Sequence, residues 1–347
     1  MPGREAGHPL GTRMIRFIAT RLVGMVLVLI VVSLVTFLIF QAVPLLAKAS
    51  PVYYYIGKAP ATPELLRSLT HRFGFDQPLP VQYWSFLAGI FGKNITDGTS
   101  APVPCPFPCF GYSFRRNELV STLIVQALPV TISLCVGAAL LWLIGGLAIG
   151  TASGLRPGSF IDRAGMTTAL GAVSLPIFFT GPVALLLFVY TLNWIPEGQG
   201  YVPITQNVGG WFLSLILPWL CLAFLFAALY ARLTRANVLE TMNEDYIRTA
   251  RAKGLDRRTI IVKHGLRSAL TPIVTIFGID IGTLIGTTII TETVFNLRGL
   301  GALSIQAISN QDLPVLLGVT VVAALALVVA NFIVDLLYAV IDPRVTV

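Results

Sequence analysis

Between Leu22 and Phe40 the chain carries no charged residue. At 1.5 Å per residue, a helix over that run crosses the roughly 30 Å of bilayer hydrocarbon. It is also longer than the apolar stretch of a secretory leader, about 7 to 15 residues, so a retained span is expected rather than a cleaved signal. Five further apolar regions follow: about Leu123 to Ser153, Ala164 to Leu192, Trp211 to Tyr230, Ala269 to Thr291 and Pro314 to Val340. Pro176 is expected to kink the third span. Lipid-exposed segments must satisfy their backbone polar groups internally, and apolar runs of this length do so as helices. The expectation is an all-α integral membrane protein with six transmembrane helices. Composition agrees: a 347-residue chain that is 55% hydrophobic and 12% charged is more apolar than a soluble core requires.

Charge placement sets the topology. The net charge is +8, and the basic residues gather in short segments beside apolar runs, without the exposed aromatics of a nucleic-acid footprint. No nucleic acid is expected as a partner; the lipid bilayer is. The segments at Arg156–Arg163 and Arg232–Arg267 are basic, whereas those near Gln199 and Asn296 are nearly free of Lys and Arg. Six spans then put both termini in the cytoplasm. The domain plan is a cytoplasmic segment 1–16, a first span 17–43, an extracytoplasmic lobe 44–119, a five-helix core 123–341 with a cytoplasmic loop 232–267, and a tail 342–347.

Within the lobe, Thr62-Pro63-Glu64 has the order of an N-cap, a first-turn proline and a first-turn acid, opening a helix through His71. FGFDQPLPVQYWSFLAGIFG reads as a turn and an amphipathic helix whose Tyr83, Trp84, Phe86, Leu87 and Ile90 suit a membrane interface. Cys105 and Cys109 are candidates for a disulfide on an oxidising side, or for two unpaired thiols. A metal site there lacks a histidine or a second cysteine pair. Cys135 and Cys221 fall in apolar spans as small fillers.

The loop 232–267 holds nine of the 24 Lys and Arg residues. From Val238 to Lys263, Leu239, Met242, Tyr246, Thr249 and Ala250 recur at helical spacing, while Glu244, Asp245, Arg248, Arg251 and Lys253 fall on the other face. Gly254 permits a stop, and Leu255-Asp256-Arg257-Arg258 restarts a helix. Taken alone, this pattern fits either a docking helix or a loop lying on anionic lipid.

EDYIRTARAKGLDRRTIIVKHGLRSALTPIVT resembles the cytoplasmic EAA-type loop of permease subunits of ATP-binding-cassette importers, in the dipeptide/oligopeptide and nickel branch. The resemblance covers nearly the whole chain, with RFIATRLVGMVLVLIVVSLVTFLIF, DRAGMTTALGAVSLPIFFTGPVALLLF, ETVFNLRGLGALSIQAISNQDLPVLLG and NFIVDLLYAVIDPRV as further matches. It implies a type I importer permease fold in a bacterial plasma membrane, and the subunit with a scoop-like insertion between spans 1 and 2. It implies transport of di- or oligopeptides, with nickel chelates or oligosaccharides as alternatives.

The implied partners are a sister permease subunit, two cytoplasmic ATPase subunits or domains, and an extracytoplasmic substrate-binding protein. The implied coupling helix comprises Glu244, Asp245, Tyr246, Arg248, Thr249, Ala250, Lys253, Gly254 and Leu255. This chain has no phosphate-binding loop, so no bound cofactor and no enzymatic activity are expected, with ATP and Mg on the ATPases. Two departures stand out: Arg298 precedes Gly299-Leu300-Gly301 where the family usually has proline, and the CPFPC segment is an addition. In the spans, Asp280 and Asp335 are costly in lipid. Asp280 is the candidate for a translocation path, the alternative being a helix–helix hydrogen bond. A secondary transporter is disfavoured by the lack of paired interrupted helices. A membrane hydrolase is disfavoured by three scattered histidines and no HExxH or GxSxG motif.

Overall fold

The computed structural model describes residues 10–46, 52, 62–72, 74–96, 102–198 and 200–341. The tail at 342–347, the first nine residues and the side chain of Asp335 lie outside the described residues. The chain divides into two compact units, Met1–Val125 with Ser304–Val347, and Gln126–Leu303.

In the first unit, α1 (Leu10–Leu46) outruns the expected span 17–43 at both ends. Polarity ends the membrane-crossing run, but Arg13 and Arg16 are good helix formers, so the helix itself continues. Helices α2 (Pro63–Arg72) and α3 (Leu79–Ile90) follow, each opening at a proline that presets helical φ. β1 (Lys93–Thr96) and β2 (Pro102–Cys105) pair antiparallel with Lys93 opposite Cys105. β3 (Tyr112–Ser113) and β4 (Glu118–Leu119) form a second small ladder that leads into α4 (Val120–Leu155). The unit closes with α12 (Leu313–Ile341), which packs on α1 and on β3. Ser113, fully buried, donates its hydroxyl to the Asp312 carboxylate, and the Asp312 backbone carbonyl accepts from Leu316 N–H at 3.1 Å at the start of α12.

The second unit is held by close helix contact. Gly146, Gly150 and Gly154 recur every four residues on α4 and meet α7 (Val208–Met242). A Cβ on Gly150 would lie 2.5 Å from Ala231 O, and one on Gly154 2.8 Å from Val238 Cβ. Small residues at this spacing let backbones approach where no hydrophobic effect drives helices together. Trp142 fills the space beside them, its ring 4.6 Å from Phe226 and close to Tyr230 and Phe277. Helix α10 (Arg267–Val294) supplies Phe277 and packs along α7.

Three expectations change here. The third span is broken: α5 (Phe160–Ser174) and α6 (Ile177–Ala184), the latter continued by a π-helical segment Leu185–Thr191, meet at 107°. Pro176 supplies no N–H and Leu175 before it is extended, so the helix stops instead of kinking. Among the described residues, five helices are long and apolar enough to cross a membrane, six if the bent pair is one span. The helix of the fourth span does not end near Tyr230: nothing from Ala231 to Met242 breaks it, and α7 runs on through the polar residues. The segment Glu292–Asp312, expected as an external connection, contains a further helix, α11 (Leu300–Ser309).

Candidate functional site

Two junctions at opposite ends of α10 gather the polar chemistry of the second unit. The first is the segment between α7 and α10. Helix α7 stops at Met242, and α8 (Asp245–Ala252) starts afresh after Asn243 and Glu244. This restart resets the helical register. Ile247, fully buried, and Ala250 face the protein and pack with Ile260, with Met242 alongside. Tyr246 and Thr249, expected on the same face as Met242 and Ala250, are exposed. They share the outer surface with Glu244, Asp245, Arg248 and Lys253.

Gly254 ends α8. Its φ of +77° suits a residue without a Cβ. It lets Leu255 N–H donate to Ala250 O at 3.3 Å and Gly254 N–H to Arg251 O at 3.0 Å, the paired bonds of a left-handed helix cap. Leu255, just beyond, is exposed at 42%. Asp256 then caps α9 (Arg257–Thr259), accepting from Arg258 N–H at 3.0 Å. A π-helical segment, Ile260–Leu266, leads without a break into α10. Residues Tyr246, Thr249 and Leu255 thus form an exposed surface with charged residues around it, while Ile247 and Ala250 tie the same helix to Ile260 of the π-helical segment that leads into α10.

Midway along α10, Asp280 is half-buried and its Oδ2 accepts from Tyr230 OH of α7 at 2.7 Å. A helix–helix hydrogen bond therefore exists at this position.

The second junction is at the far end of α10, and sequence reasoning missed it. Glu292 is fully buried. Its Oε1 accepts from Thr131 Oγ1 of α4 at 2.7 Å and its Oε2 from Ala302 N–H at 2.9 Å. Gly301 N–H and the Thr288 hydroxyl also donate to it. Thr131 Oγ1 in turn accepts from Leu300 N–H at 2.8 Å. The carboxylate thereby caps the first turn of α11, where free N–H groups and the helix dipole favour negative charge. Gly299 and Gly301 make this approach feasible: a Cβ on Gly299 would collide with the Glu292 carboxylate, and one on Gly301 would sit 2.6 Å from Ile289 Cα. Arg298, where the resembled family has proline, is exposed and leaves the turn intact. The two glycines at this spacing after a lone acid were the available signal.

A second unread pair is Asp162 and Arg235. Ser159 caps α5, Asp162 accepts from Gly158 N–H at 2.8 Å, and Arg235 Nη2 of α7 donates to Asp162 Oδ2 at 2.9 Å. The Ser-x-x-acid spacing of a capping box was its signal. In the first unit, Cys105 and Cys109 are joined by a disulfide, and Cys109 N–H donates to Ile90 O at 2.9 Å. No cluster of His, Cys, Asp and Glu fit to hold a metal occurs among the described residues.

Residues 146–347 match the family described as binding-protein-dependent transport system inner membrane component, and residues 14–135 match its N-terminal membrane component. The chain is 36% identical to a probable peptide ABC transporter permease protein, y4tP, of Sinorhizobium fredii, over 95% of this chain and 98% of that one. It is 33% identical to the di/tripeptide transport system permease protein DppB of Pseudomonas aeruginosa, over 96% and 99%. A solved inward-facing structure of the MetNI methionine ABC transporter aligns with a TM-score of 0.51 at 20% identity, over 64% of this chain and 97% of that chain, a likeness of fold.

Proposed function

The chain belongs to the binding-protein-dependent transport system inner membrane component family, and from that premise we propose that it is the permease subunit of an ATP-driven importer of short peptides. It is a multi-pass membrane permease and a transport component, not an enzyme. The family implies ATPase and substrate-binding partners. The finer assignment is one sister permease, two cytoplasmic ATPase subunits that hold ATP and Mg, and a binding protein on the side of the lobe. It also places the chain in the bacterial inner membrane with both termini in the cytoplasm, supported by the basic segments at Arg156–Arg163 and Arg232–Arg267.

The observation that carries the coupling assignment is the two-faced α8. Its inner face, Ile247 and Ala250, is committed to Ile260 of the π-helical segment before α10. Its outer face offers Tyr246, Thr249 and Leu255 with charges around them. An aromatic anchor with a charged rim is the composition of a docking hot spot. In this reading the ATPase grips that face. Closure of the ATPases on ATP then moves α8 and, through the π-helical segment, α10, biasing the membrane helices between two openings. The π-helical segment favours this role, since such irregular turns are rare and concentrate at functional positions.

Asp280 is assigned to the translocation path, supported by its half-exposed position and by the high cost of an unpaired carboxylate in lipid. Asp280→Asn keeps an acceptor for Tyr230 while removing the charge. Reduced uptake of peptides with a free amino terminus, but unchanged uptake of acetylated ones, is the expected outcome. Undiminished uptake of the free-amino peptides by the variant, relative to the native chain, sinks the path role. The overall reading is tested by ATP-dependent uptake of labelled di- to hexapeptides into proteoliposomes holding the assembled transporter. Uptake that requires ATP and is lost in Tyr246→Ala is expected. An intact, ATP-hydrolysing complex that moves none of these peptides would refute the peptide assignment.

A further inference from the structure

Helix α3 of the lobe is uncharged from Leu79 to Ile90 and apolar on two opposite sides. One side is used within the first unit. Tyr83 OH lies 2.9 Å from Ser33 Oγ and donates to Ile30 O at 3.2 Å, and Phe37 packs against Tyr83 and Phe86 with ring centroids 5.4 and 6.2 Å apart. Ser33 is thereby buried and satisfied by a phenol. Among the described residues the other side is open apart from the contact of Phe107 with Phe91. Val81, Trp84, Ala88 and Phe91 follow one another at helical spacing along it, with Trp84 71% and Phe91 77% exposed.

The disulfide enlarges this apolar side. The Cys105–Cys109 loop presents Phe107, 66% exposed, which stacks on Phe91 with centroids 6.0 Å apart. Cys109 N–H donates to Ile90 O at 2.9 Å, so the loop is fastened to the end of α3. The added CPFPC segment thus holds an aromatic knob in line with Trp84.

The depth of α3 follows from its contact with α1. The uncharged run of α1 is Leu22–Phe40, and Ser33 lies within it, about 10 Å along the axis from Phe40. Around Ser33 the outward residues Val35, Leu38 and Ile39 are 48%, 40% and 51% exposed, a lipid-facing surface. A helix hydrogen-bonded to Ser33 and packed on Phe37 therefore lies beside the apolar run of α1, and its open apolar side continues that surface. Tryptophan and phenylalanine on an uncharged helix at this depth match the amphipathic belt of a bilayer interface.

We propose that the outer side of α3 and the Phe107 knob lie in the lobe-side leaflet, with lipid as the occupant of the Val81, Trp84, Phe91 and Phe107 surface. The lobe is then a membrane-seated element instead of a free extracytoplasmic domain, and the cysteine loop is a lipid-contacting extension of it.

The test is tryptophan quenching in the assembled transporter in nanodiscs of phosphatidylcholine brominated near the top of the acyl chains. The Trp84 signal is the difference between the native chain and Trp84→Phe, a variant that keeps an aromatic ring. A second reporter is Phe107→Trp in the Trp84→Phe background. Both signals are expected to lose most of their intensity in brominated lipid and little to aqueous acrylamide. Quenching by acrylamide with none by brominated lipid overturns the proposal. So does shielding from acrylamide only after a substrate-binding protein is added, which would make this surface a protein-docking site.

Discussion

The two ends of α10 treat polar groups in opposite ways. At the far end, Glu292 is fully buried and its partners are all donors: Thr131, Thr288 and the first N–H groups of α11. At the near end, α8 leaves Tyr246, Thr249, Arg248 and Lys253 in the open and buries only Ile247 and Ala250. The difference separates a junction completed within the chain from one whose outer face stays open, the face proposed above to dock an ATPase. A buried carboxylate survives only when its hydrogen bonds are made, so the Glu292 end is a fixed anchor. An exposed aromatic with a charged rim contributes little until a partner covers it.

Substitutions can break this contrast, and the largest effect belongs to the anchor. Glu292→Ala strands buried donors of Thr131 and α11, each costly when unpaired, and should destabilise by on the order of 3 kcal/mol. The readout is a lowered thermal midpoint of the purified transporter in detergent. Glu292→Gln, which keeps one carbonyl acceptor, should cost about 1 kcal/mol. Equal midpoints for the native chain and Glu292→Ala would remove the anchor from the account.

At the other end the loss should appear in assembly and not in folding. Tyr246→Ala is expected to weaken ATPase docking by about 2 kcal/mol, roughly 30-fold, with an unchanged thermal midpoint of the isolated permease. Titration of detergent-solubilised permease with ATPase subunit measures it. Gly254→Val forces a β-branched residue into positive φ and should cost roughly 1 to 2 kcal/mol, whereas Gly254→Asn should be milder. Circular dichroism melts of the two variants separate conformational strain from lost contact, since nothing lies within 4 Å of the added Cβ. The smallest effect is expected at Arg248, whose ion pair with Asp245 at 3.4 Å is exposed on both sides. Arg248→Ala should shift stability by less than about 0.5 kcal/mol.

Much of this contrast was legible in the sequence, but unevenly. Apolar runs revealed the spans, because lipid allows few alternatives to a helix. They did not reveal where helices end: α7 continues past Tyr230 because a change in polarity is not a change in backbone preference. The break at Leu175 was underestimated as a kink, since the proline and the extended residue before it act together. Gly254 and the restart at Asp256 were readable from cap chemistry. The faces of α8 were not, because the interruption at Asn243 and Glu244 shifts the register by which Tyr246 and Ala250 had been grouped. Glu292 escaped because its partners come from Thr131 and Ala302, which only the fold brings together. Gly146, Gly150 and Gly154 were visible as a small-residue repeat whose meaning needed α7 beside it.

The most direct test of the two-faced α8 replaces single residues by a photoreactive phenylalanine analogue in the assembled transporter. At Tyr246 irradiation should yield an adduct with the soluble ATPase subunit; at Ile247, one turn-face away, it should yield none. An ATPase adduct from Ile247 with none from Tyr246 would contradict the assignment of the outer face as the docking surface.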